Sequence, residues 1–125
     1  MLFDRACPGG GWNAGNGIVN DAPLSPHIDT TAVALLALAE DADPAAVQGL
    51  NWLRSACMDC SSAYSLAWSA IAFLMHRDQA LDHCIADLRT MFSSKGSVFD
   101  VETLSLAVIA IKAAEGSANP FGVVI

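Results

Sequence analysis

Three nine-residue segments, TTAVALLAL at 30–38, SLAWSAIAF at 65–73 and TLSLAVIAI at 103–111, follow one pattern when Ala37, Ala72 and Ala110 are placed in register. Each is apolar on every side, and a helix without a polar face has to be covered all round. The stretches between the copies differ. Over 44–57, Ala46, Val47, Leu50, Leu53 and Cys57 recur at helical spacing opposite Gln48, Asn51 and Arg54. Over 78–92, Leu81, Cys84, Ile85, Leu88, Met91 and Phe92 stand opposite Gln79, Asp82, His83, Asp87 and Thr90. Buried helices therefore alternate with one-sided surface helices, which predicts an all-α protein.

Turn and cap residues divide the chain. The Gly-, Pro- and Asn-rich stretch 1–26 predicts an ordered loop rather than a strand or helix. A first buried helix is expected over 28–40, with Asp29 and Thr30 in its first turn, where short polar side chains cap free N–H groups and a carboxylate complements the positive helix end. Asp43 before Pro44 marks the start of the second helix, to about 56. A third is expected over 62–76 and a fourth over 78–92. Lys95-Gly96-Ser97 then breaks the chain, Asp100 caps a fifth helix to about 115, and Gly116 stops it before Asn119-Pro120. The copies start 35 and then 38 residues apart (37 to 72, 72 to 110), the span of one helical hairpin. The expected architecture is a partial α/α toroid of about five helices behind a Gly-rich loop. It forms one domain over 1–125, with repeats at 27–57 and 62–92 and a half repeat at 100–116.

Composition narrows the function classes. At 125 residues the chain has the size of one domain, and 54% hydrophobic residues are incompatible with a disordered acidic tail. A mean hydropathy of +0.42 is high for so small a domain, so some apolar surface is expected to meet a partner or an apolar ligand. The longest clean apolar run, 32–39, falls short of the roughly 18 residues of a membrane span. Six unclustered Lys and Arg in a chain of net charge −7 offer no basic stripe for nucleic acid or an anionic bilayer. MLFDRACPGGG has no apolar run behind a basic start, which makes the cytoplasm the expected location and keeps the four cysteines reduced.

Gly9 to Asn16 (GGGWNAGN), Asp29 to Leu38 (DTTAVALLAL) and Val47 to Leu53 (VQGLNWL) together resemble the prenyltransferase and squalene-cyclase repeat family, and the likeness covers most of the chain. In that family a Gly-Gly-Trp turn precedes each inner helix of an α/α toroid, and a Gly-Leu-x-Trp-Leu outer helix follows. Only the first repeat keeps the full pattern. Where the family has Gln and then Asp-Gly-Gly-Trp, this chain has Cys57-Met58-Asp59-Cys60-Ser61-Ser62, and the third repeat also lacks the turn. The resemblance implies an apolar cavity suited to isoprenoids. It also implies activities to weigh: cyclases that protonate an alkene, and prenyltransferase β subunits that use zinc and a lipid diphosphate.

The cyclase acid motif, Asp-x-Asp-Asp-Thr-Ala, corresponds to His27-Ile28-Asp29-Thr30-Thr31-Ala32, so the resemblance aligns Asp29 with the proton donor while two carboxylates that would tune it are missing. Helix-end electrostatics is the plain reading of Asp29. Asp29, Tyr64 and Glu102 share one repeat position, which places a polar rim on an apolar groove. Helices packed ~8–10 Å apart keep the two carboxylates from sharing a proton across the helix that carries Tyr64. Trp12 and Trp68 are candidate aromatic walls for an isoprenoid. Against that, Trp68 suits core packing and Trp12 suits locking the Gly-rich loop to the first hairpin.

Cys57 and Cys60 have the spacing of a zinc or redox pair, and His83-Cys84 follows on the next surface helix. Adjacent His83 and Cys84 point to opposite sides, so four ligands do not converge, and buried small cysteines are the expected reading. Neither a metal nor a cofactor is expected.

Two and a half hairpins leave the inner helices uncovered. Burying ~1,000 Å² of apolar surface at ~25 cal/mol per Å² gains roughly 25 kcal/mol gross, against an association cost of ~4–15 kcal/mol. A homo-oligomer, most simply a two-fold pair, or the remainder of a larger toroid is the expected partner. The expected function is a non-catalytic repeat domain that binds through its apolar concave face. An isoprenoid- or lipid-binding module and a cyclase or prenyltransferase fragment are the alternatives.

Overall fold

A computed structural model describes residues 6–13, 18–19, 22–23, 25–38, 43–95 and 100–116. Among them are five helices: α1 (Ile28–Ala37), α2 (Pro44–Cys57), α3 (Ala63–Met75), α4 (Ala80–Lys95) and α5 (Val101–Ala114). The all-α reading holds. Glu40, Gly96, Ser97, Asn119 and Pro120 lie outside the described residues, as do Ala14, Gly15 and Asn16 of the Gly-rich motif. One addition concerns 1–26, expected to be loop throughout: Ile18–Val19 (β1) pairs antiparallel with Ala22–Pro23 (β2), Val19 facing Ala22. Two β-branched residues followed by Asn20-Asp21 are a short hairpin signal that the surrounding glycines masked.

The caps act as their chemistry dictates. Asp43 Oδ1 accepts the Ala45 N–H at 2.8 Å ahead of Pro44, and Asp100 Oδ1 accepts the Thr103 N–H at 2.7 Å. Asp78 precedes α4 and accepts the Ala80 N–H at 2.9 Å, so this helix begins two residues after its capping side chain. Between α3 and α4, Asp78 N–H reaches the Phe73 carbonyl oxygen at 2.8 Å and Arg77 N–H reaches that of Leu74 at 3.2 Å. This is a Schellman closure, and its left-handed position holds Arg77 at φ 54° where glycine is the usual occupant.

Helix α3 is central. It packs on α1 and α5 at its two sides and on α4 behind, and α2 lies against α1 and, less closely, α3. His76, just past α3, donates from Nε2 to the carbonyl oxygen of Leu35 near the end of α1 at 2.7 Å, so these two helices end side by side and run the same way. The core follows from this order, with Leu66, Ala67, Ala70, Ile71, Ala72 and Phe73 of α3 all fully enclosed.

The expectation that all three apolar helices are covered all round is met most nearly by α3, which has no exposed residue but leaves Tyr64 and Trp68 half-buried, and is corrected for its neighbours. Val33 of α1 is 46% exposed and Val108 of α5 is 53% exposed. The physical reason is position: α3 has a helix on each flank, whereas α1 and α5 each have α3 on one flank only. Leu88 of the surface helix α4 is fully enclosed, as the inward stripe of an amphipathic helix should be.

Candidate functional site

The three apolar helices start in one register. His27, Ser62 and Asp100 are their N-caps, and Asp29, Tyr64 and Glu102 occupy the second helical position of α1, α3 and α5. Ser62 Oγ accepts the Ser65 N–H at 3.3 Å in the manner of Asp100, while His27 makes no side-chain cap bond. Asp29 and Tyr64 are half-buried and Glu102 is exposed. With α3 between α1 and α5, the carboxylates of Asp29 and Glu102 stand on either side of the helix that carries Tyr64.

One turn further along, the same helix faces carry Val33, Trp68 and Leu106. Exposure falls across them, from Val33 through half-buried Trp68 to buried Leu106. Leu36 and Ile109, at matching repeat positions, are partly buried against the core. The result is an apolar face along α1, α3 and α5 with polar groups along the edge where those helices begin.

Trp12 does not join this face. It is 2% exposed and packs between α1 and α2, where a β-carbon at Gly49 would meet its Cζ3 at 2.7 Å and Leu35 Cδ2 at 3.2 Å. Its backbone is clamped as well: Trp12 N–H donates to Thr31 Oγ1 at 2.8 Å, and Thr31 Oγ1 donates to the Trp12 carbonyl oxygen at 3.0 Å. The His27 N–H shares that oxygen at 2.8 Å. Gly10 (φ 99°) and Gly11 (φ 83°) lead into the tryptophan in backbone conformations that favour glycine. A β-carbon on Gly10 would sit 2.7 Å from the Gln48 carbonyl oxygen, and one on Gly11 would sit 2.9 Å from Pro26 Cβ and 3.2 Å from Trp52 Cε3. The Gly-Gly-Trp turn, Thr31 and the Gln48-Gly49-Leu50-Asn51-Trp52-Leu53 segment thus form one interlocked unit.

The cysteines show a grouping that spacing alone did not reveal. Cys57, the last residue of α2, and Cys84, in the second turn of α4, are both enclosed in the core, with their thiols side by side near Ser69 of α3. Cys60 is partly buried against the same core, and its thiol points at the Ser62 carbonyl oxygen 3.6 Å away. The adjoining Cys84 thiol holds Cys57 below the ordinary thiol range against the opposing effect of burial, whereas Cys57 and then burial push Cys84 up. Burial also raises Cys60. The signal was present in the stripes, since Cys57 and Cys84 each fall on the apolar side of an outer helix and both sides face α3. His83, on the polar side, lies 3.1 Å from Asp87 Oδ2 through Nε2. Among the described residues no group of three or more His, Cys, Asp and Glu side chains is arranged to hold a metal ion.

Among the described residues no helix is long and apolar enough to cross a membrane. No family model, curated protein or solved structure matches the chain.

Proposed function

We propose that this chain is a non-catalytic helical-repeat binding domain of the prenyltransferase and squalene-cyclase type, a partial α/α toroid whose apolar inner face is covered by a second copy of itself. The observation that carries the reading is the apolar line of exposed Val33 and half-buried Trp68 at one repeat position of α1 and α3, in a motif otherwise built for burial. The interlocking of Trp12, Thr31 and Gly49 supports the family likeness, because it gives Gly10, Gly11, Gly49 and Trp12 of the resembling motif a packing reason. We place the protein in the cytoplasm, where its cysteines rest as thiols. Asp29 serves the positive end of α1 rather than proton transfer to an alkene, since the positions that would tune such an acid hold His27 and Thr30.

A second reading, an isoprenoid- or lipid-binding module, draws on the half-buried aromatic pair Tyr64 and Trp68 along that face. Native mass spectrometry of the purified chain separates the two. A dimer free of lipid is the expected result, a monomer carrying a prenyl lipid favours the second reading, and a bare monomer overturns both. Turnover of squalene or a prenyl diphosphate that is lost in Asp29→Asn would overturn the non-catalytic reading.

A further inference from the structure

The outer helices bring together three thiols for which a binding domain has no use. Cys57 ends α2, and the turn that follows closes with the Cys60 N–H on the Cys57 carbonyl oxygen at 3.3 Å. A turn closed between residues three apart holds their α-carbons within about 7 Å, at the edge of the span a disulfide bridges. Both side chains face the core: Cys57 is enclosed beside Cys84, and Cys60 packs on the same cluster while keeping part of its surface in solvent. Cys7, also a free thiol, is buried in the N-terminal loop and belongs to no such group.

We propose that Cys57 and Cys60 form a reversible thiol–disulfide site for small-molecule disulfides, with Cys60 as the entry thiol and Cys57 as the resolving thiol. The Cys60 thiolate attacks one sulfur of the incoming disulfide, a new S–S bond forms at Cys60, and the displaced thiolate leaves and takes up the proton that Cys60 lost. Cys57 then loses its proton and attacks the Cys60 sulfur. The mixed disulfide breaks, the Cys57–Cys60 bond forms, and the second small thiolate leaves and takes the Cys57 proton. The two cysteines are oxidised by two electrons, and the small disulfide is reduced by two electrons to two thiols.

Cys84 is a positioning residue in this scheme, because it is enclosed beside Cys57 and fixes where that sulfur rests before the second step. The part-exposed side of Cys60 explains the order of attack, as an external disulfide has no path to a sulfur enclosed like that of Cys57, and because burial raises the Cys60 thiol the first step is the slow one. A bridge would draw the Cys57 sulfur away from Cys84 at the junction of α2, α3 and α4. Oxidation would then act on the packing of the outer helices and leave the inner face untouched.

The test uses the full chain, reduced, then exposed to oxidised glutathione and followed by intact mass and peptide mapping. The expected product has lost two hydrogens and carries a Cys57–Cys60 link, and dithiothreitol reverses it. In Cys57→Ser the expected product stops at one glutathionyl group on Cys60. In Cys60→Ser, a change of one atom at a half-buried turn position, both products are lost while the melting temperature should stay close to the parent's. Cys84→Ala retains the Cys57–Cys60 link but accumulates the mixed disulfide. A Cys57–Cys84 link in the native chain, or oxidation of Cys60→Ser as fast as the parent, overturns the assignment, as does glutathionylation of Cys60 in the parent without loss of two hydrogens.

Discussion

Gly49 of α2 lies under the ring of Trp12, so close that a β-carbon would stand 2.7 Å from Cζ3. Thirty-seven residues of chain (12 to 49) are thereby fixed to one another by the absence of a single methyl group. Gly49→Ala gains up to about 1 kcal/mol of helix propensity and loses about 1–3 kcal/mol by overpacking, so a net destabilisation is expected in urea unfolding. Gly9→Ala is the control: nothing lies within 4 Å of its added carbon, and the midpoint should stay unchanged or rise slightly.

Thr31 provides both partners for the backbone of Trp12 from one buried hydroxyl. Thr31→Val keeps the shape and leaves a buried N–H without its acceptor, which should cost about 1–3 kcal/mol. Thr31→Ser should retain most of the stability. Chemical denaturation of the pair distinguishes the hydroxyl from the methyl.

Arg77 holds a left-handed conformation, φ 54°, in the closure between α3 and α4. Relief of the β-carbon clash is worth about 1–2 kcal/mol, against about 0.5–1 kcal/mol of extra unfolded-state entropy for glycine. Arg77→Gly should therefore raise stability by about 0.5–1 kcal/mol, read as a higher melting temperature.

Asp78 accepts Arg54 Nε at 2.8 Å and the Ala80 N–H at 2.9 Å. Burial acts to raise this carboxyl, but the Arg54 hydrogen bond, the Ala80 N–H and the nearby positive charges outweigh it, and the group sits below the ordinary carboxylate range. A depressed folded-state value means that the unfolded chain binds the proton more readily. The stabilisation is therefore complete above about pH 5 and is lost as pH falls below about 4 and through the lower folded value. Because the Arg54 side chain is 44% exposed, about 1 kcal/mol or less is involved. Asp78→Asn should remove this part of the acid slope in a stability–pH profile.

Val33, on the face shared with Trp68, and Val108, on the other side of α5 from buried Leu106, are both exposed, so replacing each with Asp should change monomer stability by no more than about 0.5 kcal/mol. If the inner face joins two copies, Val33→Asp should convert a dimer to a monomer in native mass spectrometry with its melting behaviour otherwise preserved, and Val108→Asp should leave the dimer intact. A dimer that survives Val33→Asp would place the contact elsewhere.

The chain alone carried a good deal of this. Helix number, alternation and caps were legible because each rests on local chemistry: Asp43 before Pro44, Asp100 before the third apolar copy, and apolar residues at helical intervals around Leu53 and Leu88. The shared position of Asp29, Tyr64 and Glu102 was legible too, since a repeat in sequence becomes a repeat in register once each copy starts at an equivalent cap.

Tertiary structure decided what local pattern cannot hold. The three apolar copies are near equals in composition, yet only α3 has no exposed residue, because enclosure depends on having a neighbour on each flank. The meeting of Cys57 with Cys84 arises likewise from two outer helices leaning on one central helix, and Trp12 became a core residue because Gly49, far along the chain, left room for its ring. Periodicity along a chain states which side of a helix avoids water; which other side chain waits there is settled by the packing of elements distant in sequence.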